Sequence, residues 1–167
     1  MEIASYCPED INCLAYGIPL TGFSDGTFIT ITKDKVPFGS TETTDGQISR
    51  LYTNSQTYTI SLTFHRGSQS NDVFSKLWLL DELTKKAKFP LLVKDLSGSD
   101  LFFSSSTWIE GIPSMVQSTN FDSRTWILRS SQAVVNIGSN LDASNILQDL
   151  LNLAAGVLPT VQGVSDD

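Results

Sequence analysis

His65 is the only histidine in the chain, so any Ser-His-Asp or Cys-His arrangement would have to use it. It stands between Phe64 and Arg66 at the end of an alternating stretch, with no G-x-S-x-G nucleophile turn nearby. A plain strand-end residue accounts for it. Cys7 and Cys13 are the only cysteines, and with one histidine they cannot complete a closed zinc site without carboxylates. Asp81 and Glu82 form an acidic pair, but neighbours in sequence point in different directions on a helix. Lys85, Lys86 and Lys88 resemble a basic patch, yet cations suit a helix C-terminus without further cause. There is no P-loop, no G-x-G-x-x-G and no EF-hand loop. The residues carry no enzyme signal and call for no cofactor and no metal.

The elements around these residues are mostly strands. The stretch Thr57–His65 alternates strictly: Tyr58, Ile60, Leu62 and Phe64 on one face, Thr57, Thr59, Ser61 and Thr63 on the other. One greasy face thus backs a row of small hydroxyls with no charge and no bulk. Thr27–Lys33 is β-branched and alternating, a second strand. Between them, Asp34–Gly46 holds Pro37, Gly39 and Asp45-Gly46 and reads as a long loop or irregular hairpin arm, with a short strand at Val36–Phe38. Gln47–Thr53 is a weak strand that a short turn would pair with Thr57–His65. Ser70-Asn71-Asp72 starts a helix, and Val73, Phe74, Leu77, Trp78, Leu80 and Leu83 follow at helical spacing, a broad face for close packing on the sheet. Leu91–Lys94, Leu101–Gly111, and a pair at Met115–Phe121 and Thr125–Ile137 continue the sheet. Leu141–Leu153 reads as a second helix and Gly156–Asp167 as a tail. The fold class is mainly β (α+β): one antiparallel sandwich or barrel-like domain over residues 1–167, with one packed helix and a C-terminal helix.

The chain has 167 residues, 40% hydrophobic and 17% charged, enough apolar material for one core. Its net charge is −7, and all eleven Lys and Arg lie between Lys33 and Arg129, leaving both ends purely acidic. An acidic chain does not grip phosphate backbones. No run reaches the roughly 18 apolar residues of a membrane helix, so no membrane anchor is expected. The first twenty residues lack the basic region of a signal peptide, and both thiols are expected free. Trp78 suits a core, while Trp108 and Trp126 suit either core or interface. Two classes remain: a recognition module and a self-assembling structural protein.

The order of its motifs resembles the tail tube proteins of contractile-tailed bacteriophages. The likeness rests on Asp45-Gly46, Thr57–Thr63, Ser70-Asn71-Asp72-Val73, Phe89-Pro90-Leu91-Leu92-Val93-Lys94-Asp95 with Gly98, Trp108-Ile109, Pro113 and Arg124-Thr125-Trp126. It covers about Thr27 to Val135 and fades before Gly22 and after Ile137, so 1–22 and 138–167 are read as assembly arms. The resemblance implies a virion subunit, put together in the bacterial cytoplasm, that forms homohexameric rings stacked into a hollow tube. Its partners would be other copies of itself, the tail sheath protein, and the tape measure protein and baseplate during assembly, with genomic DNA passing unbound. Strands would join an intersubunit barrel, with Thr57, Thr59, Ser61 and Thr63 facing the lumen. Lys35, Val36, Phe38, Thr41, Thr43 and Asp45 would make contacts between subunits or rings. About 24 strands at ~4.8 Å spacing and ~40° tilt give a ring roughly 48 Å across, leaving room for a duplex about 20 Å wide. A minor tail or baseplate protein, or a β-sandwich recognition module, is the alternative.

Overall fold

The computed structural model describes residues 4–140, 151, 152 and 156. Ten strands and one long helix follow in the order β1 (Ile11–Ala15), β2 (Ile18–Pro19), β3 (Ile29–Lys33), β4 (Phe38–Glu42), β5 (Ile48–Tyr52), β6 (Tyr58–His65), α1 (Ser70–Thr84), β7 (Phe89–Asp95), β8 (Leu101–Gly111), β9 (Ser123–Ser130) and β10 (Val134–Asn136). Eight of the strands form one antiparallel sheet. Its order is β2-β1-β7-β8-β9-β6-β3, with β10 continuing the line of β9 along β8. The expected mainly-β, antiparallel class with a packed helix is the one observed.

The alternation of β6 decides which way the sheet faces. Ile60, Leu62 and Phe64 are fully buried, and Leu128 and Trp126 of β9 lie beside them. Phe74 of α1 drops into this floor, with ring centroids 5.6 Å from Phe64, 5.5 Å from Trp126 and 6.3 Å from Phe89. Each such buried side chain contributes roughly 1.5–3 kcal/mol of transfer free energy. Ile11–Pro19 belongs to the same body, because Cys13, Ala15 and Leu20 are core residues. Tyr16 and Gly17, both in the left-handed region (φ 54° and 75°), make the two-residue turn that joins β1 to β2. The sheet curls until β3 faces β7 and the start of β8 across a cleft of about 610 Å³. Ile29, Ile31, Tyr58, Val93 and Phe102 line that cleft.

Four sequence expectations are corrected. Gln47–Thr53 does not pair with β6. Instead β5 pairs with β4 in a separate two-stranded sheet, from Phe38 opposite Tyr52 to Glu42 opposite Ile48. β6 takes β3 and β9 as neighbours, because its buried face can be completed only inside the main sheet. The short strand expected at Val36–Phe38 lies instead at Phe38–Glu42. Met115–Phe121 is a loop, not a strand, with Ser118 bonded to Asp122 and to the Asn120 carbonyl. The broad helical face is narrower than its spacing suggests: Phe74 is buried and Leu77 and Trp78 are half-buried, but Leu80 and Leu83 are exposed. The helix expected at Leu141–Leu153 and the tail after it lie outside the described residues, apart from helical Leu151 and Asn152 and from Gly156.

Asn71 pins the start of α1 to the sheet, and no side chain caps the helix. Its amide donates to the carbonyls of His65 (3.0 Å) and Ser68 (3.2 Å), and its carbonyl oxygen accepts the buried Trp126 Nε1–H at 3.0 Å. Asn71→Ala strands that indole N–H in the core. It is expected to destabilise the subunit by about 1–3 kcal/mol, read from urea unfolding. A loss below a few tenths would mean that the indole finds another partner.

Candidate assembly surfaces

The hydroxyl row lies on the sheet face turned away from the core. Thr57, Thr59, Ser61 and Thr63 are each half-buried. Thr32 stands opposite Thr59, and Thr30 opposite Ser61. On the other side Thr125 stands opposite Thr63, their hydroxyls 3.0 Å apart, and Ile127 stands opposite Ser61. The small-polar character of β6 thus extends to Thr30 and Thr32 of β3 and to Thr125 of β9, while Ile127 is apolar.

A cation interrupts it. Arg129 stands opposite Thr59 and carries its guanidinium onto this face. Glu110 meets it at 2.9 Å, and Asp34 lies at 3.6 Å. The Thr59 hydroxyl also donates to Asp34. That bond, with help from Thr57 and Arg129, outweighs slight desolvation and holds the Asp34 carboxyl below its ordinary range. Two carboxylates against one guanidinium leave the group net acidic. Reading β6 alone missed it, since Arg129 is seventy residues from Thr59 in the chain.

The edges of this face are open. β3 has no neighbour beyond β6's side among the described residues. On β8, pairing with β7 ends at Thr107, so among the described residues Trp108–Gly111 presents an unpaired edge on that side. Between these edges run four adjacent strands, β3, β6, β9 and β8.

The β4–β5 hairpin stands clear of the body. All ten of its strand residues are exposed. Val36 (76%), Ile48 (73%), Tyr52 (62%) and Leu51 (60%) offer large apolar surface to solvent. Phe38 is braced by Tyr52 at 5.4 Å and by the Arg50 guanidinium, 3.9 Å above its ring. Of the expected contact residues, Lys35 and Val36 lie at the approach, Phe38 and Thr41 on β4, and Thr43 and Asp45 at the tip. The Thr43 hydroxyl accepts the Gln47 N–H at 3.2 Å, and Gly46 takes the left-handed conformation (φ 78°) that closes the turn. Sequence reading missed Ile48, Arg50, Leu51 and Tyr52. Their signal was alternation in a strand assigned to the wrong partner.

Away from these surfaces the side chains hold structure. Cys7 and Cys13 are free, and burial pushes the Cys13 thiol up to about 12. Burial works to raise the Asp95 carboxyl too, but hydrogen bonds from Ser97 and Asn140 overcome it and leave it below the ordinary range. Among the described residues no cluster of His, Cys, Asp or Glu could hold a metal ion, and no helix is long and apolar enough to cross a membrane.

No protein-family model matches the chain. It is 28% identical over 162 residues to structural protein ORF10 of Pseudomonas phage KPP10, covering 92% of this chain and 93% of that protein. Three solved structures share the fold. A chain of the anti-feeding prophage cap, a tube-terminating cap, superposes with a TM-score of 0.53 at 12% identity, over 81% of this chain and 95% of its own. A chain of the virion of a native gene transfer agent gives 0.55 at 12%, over 80% and 100%. A chain of the sheath/tube terminator of an extracellular contractile injection system, in the extended state, gives 0.54 at 13%, over 80% and 97%. The chain is thus similar in sequence to a phage structural protein, and its fold is that of chains from contractile and phage-like particles.

Proposed function

We propose that this chain is the structural subunit of a phage tail tube, six copies to a ring, with stacked rings forming a bore that conducts the genome. One observation carries the reading: four adjacent strands, β3, β6, β9 and β8, end in open edges on both sides, and the face of β6 and β3 opposite the core is a row of hydroxyls. Joining β3 of one copy to the Trp108–Gly111 edge of the next closes such a sheet and removes the exposed edges. A bore for a polyanion needs hydroxyls and balanced charge, because free cations would hold phosphates through counterion release. Arg129, tied to Glu110 and Asp34, is not free. Residues 1–22 and 138–167 are further contact segments in this reading, Ile11–Pro19 serving the sheet as well. The sheath, tape measure and baseplate proteins are its partners, and the virion tail is its location.

A second reading is a subunit that ends a tube rather than extends it, favoured by the two terminator structures that share the fold. A minor baseplate protein or a recognition module would share the same domain. Electron microscopy of the purified protein separates them. A tube subunit gives long hollow filaments; a terminator gives single rings that sit only on the ends of tubes made by another protein. A strictly monomeric protein at high concentration rejects both.

A further inference from the structure

The sequence holds two Asp-Gly steps, Asp25-Gly26 and Asp45-Gly46. Folding makes them a matched pair. Both are exposed, and both glycines take the left-handed conformation, with φ 81° at Gly26 and 78° at Gly46. Nothing lies within 4 Å of where a Cβ would stand on either glycine, so neither is crowded. One difference separates them. The Gly46 N–H donates to the Thr43 carbonyl at 2.9 Å and closes the hairpin turn. Among the described residues the Gly26 N–H has no acceptor, and the chain bends there without a turn hydrogen bond. The flanks of that bend are nevertheless fixed. The Ser24 N–H donates to the Thr63 carbonyl at 3.1 Å, and the Thr63 N–H donates to the Phe28 carbonyl at 2.8 Å. The Phe23 and Phe28 rings lie 5.1 Å apart beside them.

The amide nitrogen that follows an aspartate can attack the carboxyl carbon of that side chain, and glycine leaves the approach open because it has no Cβ. We propose that Asp25-Gly26 is a site of spontaneous isoaspartate formation, and that the Thr43 carbonyl protects Asp45-Gly46 from the same reaction. The Gly26 nitrogen bonds to Asp25 Cγ. One carboxyl oxygen leaves as water, carrying the carboxyl proton and the amide hydrogen, and a five-membered succinimide ring remains. A water molecule then opens the ring. Breaking the bond from nitrogen to Cγ restores aspartate. Breaking the bond from nitrogen to the main-chain carbonyl carbon routes the backbone through Cβ and leaves the α-carboxylate free. The water lost is regained, and no oxidant or cofactor takes part. The added main-chain atom falls within residues 25–27, between the two hydrogen bonds to Thr63, so β3 and β6 keep their pairing. At Asp45 the nitrogen must first give up its hydrogen bond. No neighbouring copy is needed, so the reaction is independent of the tube reading.

The test follows both sites in the full-length protein, held warm at neutral pH and dilute enough to sediment as single subunits. Peptide mapping with electron-transfer fragmentation distinguishes isoaspartate from aspartate. Asp25 is expected to convert about fivefold faster than Asp45, the factor that one protein hydrogen bond contributes to a rate. In urea the turn is lost, and the two rates are expected to become equal. Asp25→Glu should abolish conversion at that site, since the larger ring forms far more slowly, and leave Asp45 as it was. Converted protein should keep the urea midpoint of the parent. Equal rates in the folded subunit overturn the proposal, and so does a difference that persists in urea. A difference seen only in assembled material assigns the protection to burial of the hairpin and overturns the role of Thr43.

Discussion

Replacing Pro37–Thr53 with a short glycine-serine link is expected to leave a folded subunit that forms no tubes. The cut is clean because the Thr53 N–H donates to the Pro37 carbonyl at 2.7 Å, so the two ends already lie together. None of the removed residues belongs to the core. Stability by urea unfolding should therefore stay within about 0.5 kcal/mol of the parent, as for surface changes generally. Assembly should not survive. The hairpin carries Phe38, Ile48, Leu51 and Tyr52, large exposed apolar side chains. If only two of them act as anchors worth about 2 kcal/mol each, their loss raises the concentration needed for assembly by roughly a thousandfold. Sedimentation and electron microscopy read the outcome. Normal tubes from the deletion would remove the hairpin from the account of assembly.

Lysines on the hydroxyl face should leave tubes intact and slow the passage of DNA. Ser61→Lys with Thr63→Lys is the informative pair. Thr59 is a poor choice because Asp34 and Arg129 already occupy its surroundings, and a lysine there would be neutralised by the carboxylate. Ser61 lies between Thr30 and Ile127, and Thr63 beside Thr125, with no carboxylate directly across either strand. In a six-fold ring each substitution recurs around the bore, so phosphates meet a belt of cations at every level. Ejection should slow on the order of tenfold at low salt and recover as salt rises, the signature of counterion release. Unchanged ejection with altered sheath binding would mean that this face looks outward.

The face was legible in the sequence because alternation needs only one strand. Ile60, Leu62 and Phe64 had to be buried, with Tyr58 half-buried beside them, which fixed where Thr59, Ser61 and Thr63 point whatever the neighbours. Neighbours are another matter. Arg129 reaches Thr59 across a strand pairing that closes a long stretch of chain, and local pattern says nothing of such pairing. The hairpin failed for a related reason. Asp45-Gly46 marked its turn correctly, but Asn54–Gln56 looked equally able to turn. No buried face on β5 was present to choose between partners. Met115–Phe121 misled because exposed apolar residues in a loop look, in sequence, like those of a strand.

That isolated hairpin has a consequence for timing. Two strands without a covering core are marginally ordered in water. Part of the free energy of docking must therefore go into settling the ribbon itself. Two free copies meeting in solution bear this cost twice, with few contacts in return. In the proposed tube, a copy arriving at a ring end meets many contacts at once. Growth on a template is then easy and spontaneous starts are rare. On the tube reading, a pool of subunits would not fill the cell with stray filaments, and the start of each tube would be left to whatever provides the first ring.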